Sequence, residues 1–349
     1  MFKKNDKEPK ELIFIGIVFF LLVYSVFVLR SIAPFLFPTY FIYIVISIVF
    51  FIIFSKINFD IFSLFSKHFF AISIFLLLLP IIIGQITRGA VRWINLGPLT
   101  IQPSEIIRPF LFIFFANYIS KESLNLNKFI RSILLFLLPF FLILIQPSLG
   151  VAILTAVGFV GIILSANFDK KYILIGFISF LLLIPLAWQI LAPYQKQRVL
   201  TFLNPQSDPF GGGYNSLQSM IAVGSGKLWG RGLGKGVQTQ LSFLPERHTD
   251  FIFASISEEL GFFGSFLLIT GLFLLLYKLA SYINRAESIQ GRAFISGLFL
   301  VILSQSIVHI GMNIGILPIT GITLPLVSAG GSSLIATMMG LGIVLGAIK

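Results

Sequence analysis

The chain contains no cysteine, which excludes disulfides and thiolate chemistry. Charge is scarce as well. Asp, Glu, Lys and Arg make up only 11% of its 349 residues, where a soluble domain carries about a quarter. Its three histidines belong to no cluster with metal-ligand spacing, and no Ser-His-Asp arrangement is visible. Its glycines form neither a dinucleotide fingerprint nor a Walker loop: no strand precedes them, and the Lys-Ser/Thr ending is missing. Hydrophobicity fills the space these absences leave. Apolar residues reach 57%, with 40 phenylalanines, more than a soluble core of this length needs. The composition predicts an all-α polytopic membrane protein forming a single integral membrane domain over 1–349.

About 20 apolar residues cross a bilayer as a helix. Ten stretches qualify, near 12–29, 35–54, 69–87, 101–118, 129–146, 150–166, 171–191, 251–277, 293–316 and 332–348. The sixth is short enough to be partly re-entrant. All are too long and continuous for barrel strands, which alternate over about ten residues. Met1 to Glu11 is charged and leads into the first span without a small-residue cleavage site, so a cytoplasmic tail is expected rather than a signal peptide. The net charge of +12 suggests either nucleic acid or positively charged cytoplasmic loops, and the distribution favours the loops. With both termini cytoplasmic, the inner segments hold Lys56, Lys67, Lys121, Lys128, Arg131, Lys170, Lys171, Lys278, Arg285 and Arg292. The short outer loops hold only Arg30, Arg88 and Arg92. A long exterior loop is expected between the seventh and eighth spans, about 192–250.

Three exterior segments carry polarity. In Arg88–Phe110, Glu105 and Arg108 stand at i and i+3 and share a helix face. Charge at membrane depth is costly and faces a bundle interior or a watery cavity. The pair either neutralises itself or shapes a substrate cavity. Pro103-Ser104-Glu105 reads as a helix start, and Trp93 as an interfacial belt residue or a site residue. In Gly315–Ser333, Gly and Pro interrupt an uncharged run, marking either a tight turn or irregular backbone whose amides meet an anion. The third segment, Asn204–Gly261, interleaves glycines with Lys227, Arg231 and Lys235, a pattern suited to a phosphate, and ends on Arg247, His248 and Asp250. Asp250 is either the N-cap of the eighth span or a functional carboxylate. Glu258 and Glu259, two turns deeper, are expected to support the cavity wall. His309 is expected to be a hydrogen-bonded packing residue.

Several stretches are similar to one family. YQKQRVLTFLNPQSDPFGGGYNSLQSMIAVGSG, LPERHTDFIFASISEELG and GILPITGITLPLVSAGGSS, with RWINLG and QPSE, resemble the shape, elongation, division and sporulation (SEDS) family. These are peptidoglycan glycosyltransferases that use lipid II. PERHTDF and YQKQR resemble the RodA (elongation) branch more than the FtsW (division) branch. The resemblance implies ten spans, cytoplasmic termini and the bacterial cytoplasmic membrane. It also implies inverting transfer of a glycan from its pyrophosphate carrier to the 4-hydroxyl of an incoming lipid II. Asp250 would be the general base. Substrate contacts would come from Trp93, Glu105, Arg108, Arg198, Gln218, Lys227, Arg231, Arg247, His248, Thr249 and Ser328. Mg2+ or Mn2+ is a candidate cofactor with no ligand set visible, and no organic cofactor is implied. The implied partner is a class B penicillin-binding protein transpeptidase. Arg108 replaces the family's usual Lys, Ser148 an acid, and Ala329 a Tyr. A lipid II flippase and a non-catalytic scaffold for a transpeptidase are the alternatives. A glycan ladder from purified protein separates them from a polymerase.

Overall fold

The computed structural model describes residues 8–83, 85–87, 90–121, 125–166, 189, 193–204, 211 and 213–349. The expected seventh span, 171–191, lies outside the described residues apart from Gln189. So do residues 1–7, Arg88, Lys170, and 205–210 with Gly212 of the long loop.

In lipid every backbone group must be satisfied within the protein, so uninterrupted apolar runs become helices. Among the described residues, six helices are long and apolar enough to cross a membrane. They are α1 (Glu8–Ile32), α2 (Thr39–Lys56), α4 (Ser66–Ile83), α7 (Leu126–Ile145), α12 (Ile252–Ile283) and α13 (Ile289–Asn313). Two shorter apolar helices, α8 (Leu149–Ser165) and α14 (Gly331–Ala347), accompany them. The expected sixth span is thus a continuous helix. Short α3 (Phe59–Leu64) joins α2 to α4, capped by Asn58 accepting from the Asp60 amide. Side chains such as Phe75, Ile82 and Phe273 stay exposed on the outer faces, as lipid-facing residues do.

The bundle centres on α14, buried continuously from Ser332 to Ala347. It lies along α2, where a Cβ on Gly342 would stand 2.7 Å from the Phe51 carbonyl. Helices α8 and α13 approach as closely: a Cβ on Gly161 would stand 2.7 Å from the Ser296 carbonyl, and one on Gly297 2.9 Å from that of Gly158. Small residues let helix backbones meet where no hydrophobic effect drives them together.

The expected third span stops at Ile83 because the chain turns to strands, which the all-α expectation omitted. β1 (Gln85–Thr87), β2 (Ala90–Leu96) and β3 (Leu99–Ile101) form an antiparallel sheet in the order β1-β2-β3. β2 and β3 pair Asn95 with Thr100 across a turn at Gly97, whose φ is 65°. The chain then enters α5 (Pro103–Ile106) and α6 (Arg108–Ser120), so the expected fourth span is two segments. Among the described residues, three helices lie between α8 and α12: α9 (Pro193–Leu203), α10 (Tyr214–Ser225) and α11 (Val237–Gln240).

The expected eighth span is also broken. Within α12, Gly261 adopts φ 66° and ψ −159°, a region open to glycine almost alone. Residues 227–232 of the glycine-rich loop enter the gap. The amides of Arg231 and Gly232 donate to the Glu258 and Glu259 carbonyls at 2.8 and 3.0 Å. The Phe262 and Phe263 amides donate to the Lys227 and Leu228 carbonyls at 2.9 and 3.3 Å. Both buried carboxylates hold the same loop. Glu258 accepts from the Gln238 and Thr239 amides, and Glu259 from the Gly234 amide, the Gln240 side chain and Ser31.

A Cβ at Gly261 would stand 2.6 Å from the Leu228 carbonyl, on top of about 1–3 kcal/mol for the backbone conformation. Gly261→Ala is therefore expected to lower the thermal midpoint of the detergent-solubilised protein clearly. Gly224→Ala, where a Cβ meets nothing within 4 Å, is expected to keep it. Equal midpoints for the two variants would contradict the broken helix.

Candidate active site

Asp250 stands where the long loop enters α12. Glu246, at φ 51°, starts a tight turn: the Thr249 and Phe251 amides both donate to its carbonyl, at 3.0 and 3.2 Å. The Thr249 hydroxyl donates to its carboxylate at 2.9 Å, and His248 Nε2 lies 3.9 Å from that same Glu246 Oε2. The His248 ring meets Phe35 edge-on at 5.7 Å. The N-cap of α12 is Phe251, without a side-chain cap bond, so the cap alternative for Asp250 is set aside. The capping contact comes from another helix: Asn313 Oδ1 at the end of α13 accepts from the Ala254 amide at 3.0 Å.

Three consecutive carbonyls hold this segment. His248 O accepts from the Ala329 amide at 2.9 Å, Thr249 O from the Ser328 hydroxyl at 2.7 Å, and Asp250 O from Asn313 Nδ2 at 3.0 Å. With its backbone fixed on one side, the half-buried Asp250 presents its carboxylate toward Gly321. A Cβ on Gly321, whose φ is 71°, would stand 3.6 Å from Asp250 Oδ2.

The segment between α13 and α14 is therefore irregular backbone and not a tight turn. Its amides at Leu324 and 327–330 donate within the protein, which removes them from the expected anion site. Gln305 Nε2 holds the Thr323 carbonyl at 2.7 Å, and the Thr323 hydroxyl holds Ser333 at 2.8 Å. His309 Nδ1 lies 2.9 Å from the Ile322 carbonyl, the packing role expected of it.

The same segment reaches the Trp93–Arg108 corner. Ser332 Oγ accepts from the Gln102 amide at 2.8 Å. The Gln102 side chain donates to Ser104 and Ser148 at 3.1 and 3.2 Å, so Ser148 keeps a contact without the acid. Glu105 opens α5 as expected. Arg108 Nη2 meets its carboxylate at 2.6 Å, with the two residues only 4% and 6% exposed. Arg108 Nε and Trp93 Nε1 are buried with no hydrogen-bond partner among the described residues. Unpartnered buried donors are rare and mark strain or a ligand.

The proposed cations are spread more widely. Arg247 donates to the Ile32 carbonyl at the end of α1 and to Ser242, both at 3.1 Å. It thereby neutralises a helix C-terminus. Arg231 donates to Ser225 at 3.1 Å and lies 4.0 Å from Glu258. The glycine-loop amides serve the α12 break, so the backbone half of the expected phosphate cradle is spent. Lys227 and Arg198 have exposed side chains, the latter on α9. Gln218 is half-buried on α10, beside Ser219, whose hydroxyl donates to the Asn313 carbonyl at 2.8 Å. Among the described residues no group of three His, Cys, Asp or Glu gathers to hold a metal. Asn313 was missed in the sequence. Its signal is an amide side chain at the end of an apolar helix, one turn beyond His309.

The FtsW/RodA/SpoVE family model, described as a cell cycle protein, matches residues 10–349. The peptidoglycan glycosyltransferase MrdB of Escherichia coli (strain K12) is 39% identical over 307 residues, 86% of this chain and 82% of that protein. The probable peptidoglycan glycosyltransferase FtsW of Buchnera aphidicola subsp. Schizaphis graminum is 39% identical over 284 residues, 78% and 79% of the two chains. Among solved structures, a chain of a peptidoglycan synthase complex that coordinates polymerization and crosslinking superposes with a TM-score of 0.82 at 30% identity, over 95% of both chains. The rod shape determining protein RodA of Thermus thermophilus gives 0.71 at 26% identity, over 95% of this chain and 94% of that one. A match along nearly the whole chain, joined to a shared fold, means that this protein belongs to the FtsW/RodA/SpoVE family of polytopic membrane proteins.

Proposed function

We propose that the chain is a peptidoglycan glycosyltransferase that polymerises lipid II at the outer face of the bacterial cytoplasmic membrane, in wall elongation and cell shape. Both termini would be cytoplasmic. The observation that carries the assignment of Asp250 is the pinning of three successive carbonyls, 248 to 250. A general base must be held in reach of the proton it takes.

The 4-hydroxyl oxygen of the incoming lipid II attacks the anomeric carbon of the growing glycan. Its proton passes to the Asp250 carboxylate. The new C–O bond forms on the face opposite the breaking bond to pyrophosphate, which leaves with the electron pair. Inversion follows from that geometry. The leaving group carries its own charge and needs cations. Arg108, whose Nε has no partner among the described residues, and exposed Lys227 and Arg231 are suited to it better than Arg247, which holds α1. His248, Thr249 and Ser328 position Asp250 through the backbone. Trp93 and Glu105 line the neighbouring corner, and Arg198 and Gln218 belong to the loop helices above. No group of three His, Cys, Asp or Glu gathers among the described residues, and no step here runs through Mg2+ or Mn2+. A class B penicillin-binding protein would cross-link the product, in keeping with the synthase complex that this fold matches.

Asp250→Asn keeps the shape of the side chain and removes the base. Polymerisation of purified lipid II should fall about 10²–10⁴-fold while the protein remains folded. Near-normal glycan ladders from this variant would sink the assignment. A flippase or scaffold gives no ladder even in the wild type.

Asn313→Asp separates positioning from capping. Aspartate keeps the acceptor for the Ala254 amide and loses the donor to the Asp250 carbonyl. Asn313 is fully buried and its Nδ2 also donates to the His309 carbonyl at 2.7 Å, so the thermal midpoint should fall as well, while kcat of the folded protein falls by about 10–100-fold at similar KM. Full activity would mean that Asn313 is only a cap.

Removing one partner of a buried ion pair leaves the other charge unpaired, at about 3–5 kcal/mol. Arg108→Ala should therefore lower the thermal midpoint more than Arg108→Lys. Differential scanning fluorimetry in detergent would test this, and the reverse order would show that the pair does not stabilise the corner.

A further inference from the structure

Helix α6 carries the Glu105–Arg108 corner at its start. Its 13 residues rise about 20 Å, so its far end lies at the membrane surface opposite Asp250. There a cavity of about 390 Å3 opens between α4, α6 and α7. Lys67 on α4, Lys121 just after α6, and Lys128 and Arg131 on α7 line it together with Asn117 and Tyr118. No acidic residue is among the described residues lining it. The positive-inside tendency explains cations at this surface. It does not explain their convergence from three helices on one cavity, where like charges repel.

The walls are built. Asn117 Nδ2 donates to Ser66 Oγ at 2.7 Å and to the Ser63 carbonyl at 3.0 Å, fixing α6 to the start of α4 and the end of α3. Lys128 Nζ donates to the Ile119 carbonyl at 3.3 Å, across the C-terminal end of α6. Tyr118 stacks on Phe114 at 5.8 Å, and Phe114 on Phe70 at 4.3 Å, giving an aromatic back wall. Beside the cavity, Leu126 and Ile130, one turn apart on α7, are exposed apolar residues.

We infer that this cavity binds the phosphate headgroup of an anionic phospholipid, whose chains run along the apolar strip of α7. The cations would supply charge-assisted hydrogen bonds to the phosphate. A soluble phosphate would use the same cations and leave the strip unused. On the topology proposed above, the cavity faces the cytoplasmic leaflet, where anionic lipids attract basic clusters. The inference rests on that topology for its leaflet and on no step of catalysis.

The test is lipid retention by the purified full chain, read by native mass spectrometry. Phosphatidylglycerol, phosphatidylcholine and pyrophosphate would each be added in turn to delipidated protein. Wild type should retain about one phosphatidylglycerol in preference to phosphatidylcholine and release it as salt rises. The double variant Lys121→Gln/Arg131→Gln should bind it about tenfold more weakly or worse, with an unchanged gel-filtration profile. Equal retention by wild type and variant, or salt-independent retention by the wild type, would overturn the site. Pyrophosphate binding as tightly as the lipid would overturn the lipid assignment in favour of a soluble anion. Because binding is read, the outcome is independent of whether Asp250 proves to be the base.

Discussion

A helix broken inside a membrane leaves carbonyls and amides that lipid cannot satisfy, and the half of this protein that holds Asp250 is organised around meeting that requirement in α12. The break at Gly261 frees the carbonyls of Glu258 and Glu259 and the amides of Phe262 and Phe263. The loop at 227–232 returns a partner for each. The two buried glutamates extend the attachment to residue 240. A loop that composition marks as glycine-rich and polar is therefore part of the fold's interior bonding. Its glycines serve close approach: Gly226, Gly230 and Gly261 sit where any Cβ would overlap the facing backbone.

The site inherits its rigidity from this attachment. The loop fixes the approach to α12, and the segment between α13 and α14 closes over it from the other side. That segment carries no charge, yet it is the hub. Ser328 and Ala329 hold the carbonyls of Thr249 and His248, while Ser332, at the start of buried α14, holds Gln102. Asp250 and the Glu105–Arg108 pair come from sequence regions about 145 residues apart, and they are joined through one short stretch of serine and backbone contacts. Exposed charge on loops would not hold them so well, because water competes for such contacts and few survive.

Charge is distributed with the same economy. At the Asp250 end, the buried pair and the turn at Glu246 keep carboxylates and cations in defined partnerships. At the other end of α6, cations gather around a cavity without described acids. The two ends of α6 thus differ in what they present: the Glu105–Arg108 ion pair at one, and a pocket whose described charged lining is cationic at the other.

Much of this was legible in the residues. Long apolar runs declared the helices, since hydrophobic length at membrane scale has few other uses. The i, i+3 spacing of Glu105 and Arg108 anticipated their contact, because local helix geometry alone decides it. Asp250 stood out as a carboxylate at the mouth of an apolar run. Other features were not legible, because they depend on partners distant in sequence. No local pattern distinguishes Glu258 and Glu259 as acceptors for a loop twenty residues earlier, or Gly261 as a break in an otherwise regular helix. Nothing near Asn313 announces that its amide reaches both Asp250 and Ala254. The strands at 85–101 were hidden by their continuity with apolar spans on either side. By itself, the sequence determined the membrane class, most of the helices and the identity of the polar side chains, since these follow from composition and short spacing. The tertiary structure alone decided which glycines serve a break, which cations are already engaged and which carbonyls hold Asp250 in place. Those depend on hydrogen bonds between residues separated by scores to hundreds of positions, which only the folded chain brings within reach.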